Sequence, residues 1–410
     1  MPRIALFHPA FVVPGGAEYL CLAEALYLRS VGEDVGIVTF GYDPEAWQGP
    51  LAGLPVRVAA KRHWSDLFFG LTRRGKLRVR GQRAEALFQD CEVVVAHNHP
   101  CNAMLGASTF RGRKVWQCNE PHRRLHLRET NPVLTAHVER TGGKAEDFAS
   151  HLWGELLRVH DLEMQSGQAK AAWCRFDIEQ SSHLDHVFAI SAFSRDNARR
   201  IYGRCGEEVV YPMVSFPDGG RTRSGLDRSG LQILVQGRQA VLKNIDTVIR
   251  GFCRFKASHP GSHLHLVGDG PARSRLEKLA QTLLPDGGIT FHGFLPQDRL
   301  KTISETCDVM ASLTLDEPFG LVYPEGAARG LLLIGPNHGG PAEILESGRF
   351  GWCVDAFSPA ALEEALCEIW SLSDAQVDSR RLLTDQACRA RFSPEVIGPQ
   401  LQRVILQGSD

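Results

Sequence analysis

Short apolar runs alternate with helical patterns along this chain, and they do so in two separate series. Residues 4–9 read as a buried strand, a loop holding Gly15 and Gly16 follows, 17–30 carry a helical pattern, and 34–40 read as a second strand, which makes one βαβ unit. Further strand candidates at 92–96, 114–118 and 186–190 are each followed by loop residues or a helical pattern, as a parallel sheet requires. Residues 125–179 hold no strong strand signal and read as mostly helical. A second series starts at Leu231, with strands near 231–235, 263–267, 289–292, 308–313 and 331–334. At 410 residues the chain exceeds what one hydrophobic core ordinarily serves. Two doubly wound α/β domains are therefore expected, 1–214 and 231–392. The stretch 215–230, with four glycines and three arginines, reads as their linker. Helical patterns at 360–372 and 393–406 complete the chain.

The second series contains the stretch Asp316-Glu317-Pro318-Phe319-Gly320-Leu321-Val322-Tyr323-Pro324-Glu325-Gly326, which reads as strand, sharp turn, helix. Pro318 and Gly320 forbid regular helix between the two glutamates, and Pro324 is tolerated in a first helical turn, so the helix is expected to begin near Leu321 or Val322. Unpaired amides at such a start suit a phosphate, and the carboxylates suit hydroxyl pairs. Phosphate together with hydroxyls describes a nucleotide sugar. Upstream, Gln236-Gly237-Arg238 ends a strand and Lys243-Asn244 opens a helix, so both cations project from the carboxyl edge of the second sheet. Arg238 can fork two phosphate oxygens and Lys243 supplies a mobile point charge, which suits a departing diphosphate.

Glu317 and Glu325, with Glu-Pro-Phe-Gly-Leu inside the pair, resemble the Glu-x7-Glu signature of the retaining family-4 glycosyltransferases, the glycosyl transferases group 1. That resemblance implies the GT-B fold, two Rossmann-like doubly wound domains facing across a cleft, with 393–410 crossing back onto the first. It implies that Glu317 and the amides of Phe319, Gly320 and Leu321 hold the donor sugar and that Glu325 holds the ribose. Arg238 and Lys243 match the family's Gly-Arg-x4-Lys pattern after Gly237. Gly15 and Gly16 match a loop beside the donor phosphates and acceptor. The loops at Gly268 and Phe294 match those bordering nucleobase and ribose, although an aromatic after a strand equally reads as packing. Gly339-Gly340-Pro341-Ala342-Glu343 also fits, with Glu343 bracing a loop. One departure concerns Trp116 to Arg123: relatives carry a histidine that contacts the transferred sugar where this chain has Asn119, a residue that hydrogen-bonds but does not titrate near neutral pH. His122 nearby is a candidate to compensate.

The resemblance implies a retaining hexosyltransferase using a UDP- or GDP-linked donor, no other cofactor and a glycan, lipid-linked or small acceptor, in polysaccharide or lipopolysaccharide biosynthesis. Two alternatives remain, a hydrolysing nucleotide-sugar 2-epimerase of the same fold and a catalytically silent carbohydrate-binding scaffold. The chain has no Asp-x-Asp pair of the kind that carries a metal in the other major glycosyltransferase fold. His97 and His99, flanking Asn98, read as polar loop residues. A formal net charge of −1 gives no global pull toward nucleic acid. The 11 cysteines are scattered without a Cys-x2-Cys pair, which fits a reduced, cytoplasmic compartment. No apolar stretch approaches the length of a membrane span. The stretch 61–83, which opens on Lys61 and closes on Arg83, holds eight Lys or Arg with Trp64, Phe68 and Phe69 among them and reads as a possible peripheral membrane contact.

Overall fold

The computed structural model describes residues 3–12, 15–47, 49–59, 73–142, 147–165, 170–216 and 224–407. Most of the basic stretch opening on Lys61 lies outside the described residues. The chain divides into two units, one built from Met1–Thr130, His160–Met213 and Pro394–Asp410, the other from Asn131–Val159 and Val214–Ser393.

The first unit holds a six-stranded sheet of β1 (Ile4–His8), β2 (Val35–Thr39), β3 (Val56–Val58), β4 (Val93–His97), β5 (Arg113–Cys118) and β6 (His186–Ala189), in the order β3-β2-β1-β4-β5-β6. Every pairing is parallel. Its central strands are apolar on both faces because helices cover both. Ile4, Leu6, Val93 and Val95 pack with Leu22 and Leu28 of the helix Gly16–Ser30 and with Leu401 and Val404 of the helix Pro394–Leu406. Phe7, Val94 and Trp116 face the other way, toward Phe88, Leu105 and Tyr202.

The second unit repeats the plan with β7 (Gln232–Gln236), β8 (His263–Val267), β9 (Ile289–Gly293), β10 (Val309–Ala311), β11 (Leu332–Pro336) and β12 (Trp352–Val354), in the order β12-β11-β10-β7-β8-β9. Counted from its own first strand, this order is that of the first sheet. Each sheet reverses its winding between its first and fourth strands, β1 beside β4 and β7 beside β10. A doubly wound sheet offers its ligand crevice outside the carboxyl ends of the strands at that reversal. Among the described residues no helix is long and apolar enough to cross a membrane.

Three features differ from the sequence reading. The edge strands β3 and β12 were not expected; each is three residues long, and their half-buried sequences Val-Arg-Val and Trp-Cys-Val carry no sustained apolar run. Residues 131–159, read as part of the first half, cluster with the second unit. Asp316 explains part of this, since its buried carboxylate accepts the Val133 and Leu134 amides at 3.1 and 3.0 Å and so caps the helix Pro132–Thr141. Asp246 likewise accepts the Phe148 amide at 2.8 Å. Finally, part of the expected linker is fastened down. Arg228 donates to the Trp370 and Leu372 carbonyls at 2.7 and 2.6 Å, and Gly225 donates its amide to Asp378 at 2.9 Å.

Candidate active site

The carboxyl ends of β7 and β10 bring the sequence-selected residues of the second unit together. After β7 the chain turns through Gly237 and a short 3-10 turn, Val241–Lys243. The Leu242 carbonyl accepts the Leu315 amide at 3.0 Å, which ties this turn to the segment leaving β10. Asn244, buried with φ 54°, donates to the Leu313 and Ala356 carbonyls at 3.2 and 2.6 Å and accepts the Thr247 hydroxyl. With both turns fixed, Lys243 Nζ sits 2.7 Å from Glu317 Oε2. Both side chains keep solvent access, at 36% and 20% exposure, so this is a pair that an incoming ligand can remodel.

Glu325 has a different setting. It lies in the helix Val322–Ala328, which starts where the sequence predicts, and Arg329 follows one turn later on the same face. Gln236, the last residue of β7, bridges them: Arg329 Nη1 donates to Gln236 Oε1 at 2.8 Å, and Gln236 Nε2 donates to Glu325 Oε2 at 3.2 Å. Burial raises the Glu325 carboxyl above its ordinary range, opposed by Arg329 and by the Gln236 hydrogen bond. Arg238 is exposed, and its guanidinium makes no hydrogen bond or ion pair among the described residues.

The loops around these side chains are held backbone to backbone. Gly268 has φ 126°, and a Cβ there would lie 2.0 Å from the Gly237 carbonyl oxygen. The Gly237 amide donates to Val267 and the Gly268 amide to Gly293, so the ends of β7, β8 and β9 form one platform. A Cβ on Gly340 would lie 2.4 Å from Phe319 Cα, and the Gly340 amide donates to the Glu317 carbonyl at 2.9 Å. That contact braces the Glu317 turn, as does the buried Tyr323 hydroxyl, which donates to the Ser312 carbonyl at 2.6 Å. The Phe319 ring is buried edge-on against Phe392, so its side chain is not available to a ligand. Leu321 is the N-cap of the helix. Phe294 is 72% exposed, which removes simple packing as its role. Glu343 offers its carbonyl to Arg391 at 2.9 Å.

In the first unit, Gly15 is the extended N-cap of the helix Gly16–Ser30, so the pair sits at the carboxyl end of β1. Asn119 follows β5; its carbonyl accepts the Ser194 hydroxyl, and its buried Oδ1 is without a partner among the described residues. His122 accepts the Leu125 amide on Nδ1 at 3.1 Å and is pushed down to about 4 by burial and by His99, so it is a neutral imidazole at pH 7. The sequence reading of His97 and His99 needs correction. His97 ends β4 fully buried, 3.3 Å from Glu24, and burial pushes it down to about 3 while the Glu24 carboxyl is pushed up to about 8. His99 contacts the buried Asp177 at 3.2 Å. That carboxylate also accepts from His126, Tyr202 and Asn102; burial opposes its ionisation, but these hydrogen bonds hold it below the usual range. Neither Glu24 nor Asp177 stands near these histidines in sequence, and only the fold brings them there. Among the described residues no group of three His, Cys, Asp or Glu is arranged to hold a metal.

The profile of the glycosyl transferases group 1 matches residues 221–386, the part that carries Arg238, Lys243 and both glutamates. An uncharacterized glycosyltransferase of Methanocaldococcus jannaschii is 31% identical over 343 residues, covering 82% of this chain and 80% of that protein. The chain belongs to the glycosyl transferases group 1. A D-inositol 3-phosphate glycosyltransferase of Acidothermus cellulolyticus is 28% identical over 279 residues; this match takes in 58% of the chain but only 62% of that relative's length. Among solved structures, Anabaena HepE in complex with UDP and glucose superposes with a TM-score of 0.74 at 16% identity, covering 99% of this chain and 100% of that one. The shared fold is GT-B. For this group 1 chain the two glutamates, Arg238 and Lys243 therefore stand at the carboxyl edge of the second GT-B sheet, where its winding reverses.

Proposed function

We propose that this chain is a retaining, family-4 type glycosyltransferase that moves a hexose from a UDP- or GDP-linked donor to an acceptor hydroxyl in polysaccharide or lipopolysaccharide assembly. The observation that carries this reading is the Lys243–Glu317 pair at 2.7 Å, on the same sheet edge as Glu325 and an Arg238 that is exposed and unpartnered among the described residues. A dianionic leaving group needs fixed positive charge as the glycosidic bond breaks, and Arg238 and Lys243 supply it without a divalent metal. Glu317 grips the sugar hydroxyls, and Glu325 grips the ribose.

Neither carboxylate is free to serve as a covalent nucleophile, so we favour same-face substitution. The acceptor oxygen bonds to C1 as the C1–O bond to the diphosphate breaks, and the acceptor's proton passes to the departing diphosphate oxygen. Asn119 and the neutral His122 are candidates to hydrogen-bond the sugar or acceptor, neither serving as a base at pH 7.

A thermal-shift screen against UDP, GDP, ADP and their sugar conjugates, with and without magnesium, tests the donor site. A ligand at a hundred times its Kd stabilises by about 2.7 kcal/mol. Selective stabilisation by one nucleotide, lost in Arg238→Ala, is expected. No shift with any of them sinks the reading. In turnover assays, Glu317→Ala is expected to abolish most activity while Glu325→Ala acts mainly through donor KM; equal losses of affinity with unaltered kcat in both would contradict these roles.

A further inference from the structure

We propose that Arg329, acting through Gln236, is a positioning residue that orients Glu325 so that one carboxylate oxygen is left for the vicinal hydroxyls of a nucleotide ribose. The inference rests on the donor site proposed above and adds residues that neither the two-glutamate spacing nor the Arg238 and Lys243 pattern includes.

The geometry is a closed ring of three side chains. Arg329 Nη1 holds Gln236 Oε1 at 2.8 Å, Gln236 Nε2 holds Glu325 Oε2 at 3.2 Å, and Arg329 Nη2 stands 3.9 Å from that same oxygen. The guanidinium has donors only and the carboxylate acceptors only, so the amide between them has one workable orientation, oxygen toward Arg329 and nitrogen toward Glu325. A flipped amide would set like poles together on both sides. The ring consumes Oε2, while Oε1 has no hydrogen-bond partner among the described residues. The Arg329 side chain is 19% exposed and Glu325 33%, so the carboxylate is the more open end. A carboxylate oxygen accepts two hydrogen bonds and donates none, which matches a pair of adjacent hydroxyls and rejects a phosphate. Gln236 contributes a second constraint. It ends β7, where it pairs with Val267 of β8, so the amide is carried by the sheet rather than by the short helix.

The test is a thermodynamic cycle between protein and ribose. Binding of UDP and GDP, and of their 2′,3′-dideoxy counterparts, is measured by calorimetry for the wild type, Arg329→Gln, Arg329→Lys and Gln236→Leu, with apo melting curves to establish that each variant is folded. For the nucleotide that the wild type prefers, Arg329→Gln is expected to weaken binding about tenfold, the scale of one charge-assisted hydrogen bond. The same substitution should leave the dideoxy nucleotide's affinity unchanged, since the hydroxyls that Glu325 would meet are gone. Gln236→Leu should reproduce the selective loss, and Arg329→Lys should recover part of it. An equal loss on both nucleotides, or no loss on either, overturns the role of Arg329 and leaves the donor site standing. Failure of the wild type to bind any nucleoside diphosphate removes both.

Discussion

Arg238 is exposed and has no neutralising partner among the described residues, whereas Lys243 and Glu325 are each already engaged. A cation in that position contributes little to folding, so Arg238→Ala should change unfolding free energy by no more than about 0.5 kcal/mol in urea titrations. The same substitution should cost about 10- to 100-fold in nucleoside diphosphate affinity, read by calorimetry. A large stability loss would place the guanidinium in a structural role instead. At this scale spacing singles out Glu317, Glu325, Arg238 and Lys243 in the sequence, and the structure brings them to one sheet edge. Their partners were not legible. Arg329 is one helical turn beyond Glu325 and Gln236 directly precedes Gly237, signals that exist but resemble any surface pair, and the pairings of Glu24 with His97 and of Asp177 with His99 span distances along the chain that no local pattern encodes.

Turns matter more than helices among the elements that build the site. Gly268→Ala would press a methyl group onto the Gly237 carbonyl at a φ of 126°, and a loss of about 3 kcal/mol in unfolding free energy is expected. Asp316 should be as sensitive for another reason. Its carboxylate accepts two amides of the helix Pro132–Thr141 from a buried, left-handed residue, and removing it in Asp316→Ala leaves both donors uncapped. A loss of about 3 kcal/mol in chemical denaturation is expected; a change below about 0.5 kcal/mol would mean that water replaces the carboxylate. Most strands were legible because buried parallel strands are continuous apolar runs. β3 and β12 escaped because three residues with no sustained apolar run leave no periodicity to read.

For the molecule as a whole, the buried imidazoles set an acid limit. Burial pushes His8, His122, His265 and His338 down to about 4 and His97 to about 3. Unfolded, each binds a proton below about pH 6.5; folded, each resists it until about pH 4. The unfolded state therefore holds more protons in that window, and stability present above pH 6.5 is lost as pH falls toward 4, by at most about 1.4 kcal/mol per pH unit for each group. Raised carboxyls work in the opposite sense, Glu24 with a value of about 8 and Glu18, Asp246 and Glu325 pushed up by burial, since stability from them falls as pH rises; the five strongly depressed histidines outweigh them below pH 6.5. Melting temperature should drop steadily between pH 6.5 and 4.5, and a flat profile would mean that these rings are hydrated. Two doubly wound halves were foreseeable from two alternating series, but the insertion of 131–159 into the second unit was not, because a helical stretch does not announce which sheet it serves. That insertion also has a temporal side. Asp316 is made 183 residues after Val133, and at ribosomal speeds of about 5–20 residues per second the helix start spends roughly ten to forty seconds in the growing chain before its cap exists. The second unit is thus begun early, set aside while residues 160–213 of the first unit are made, and its inserted helix is capped only when synthesis reaches the turn that carries Glu317.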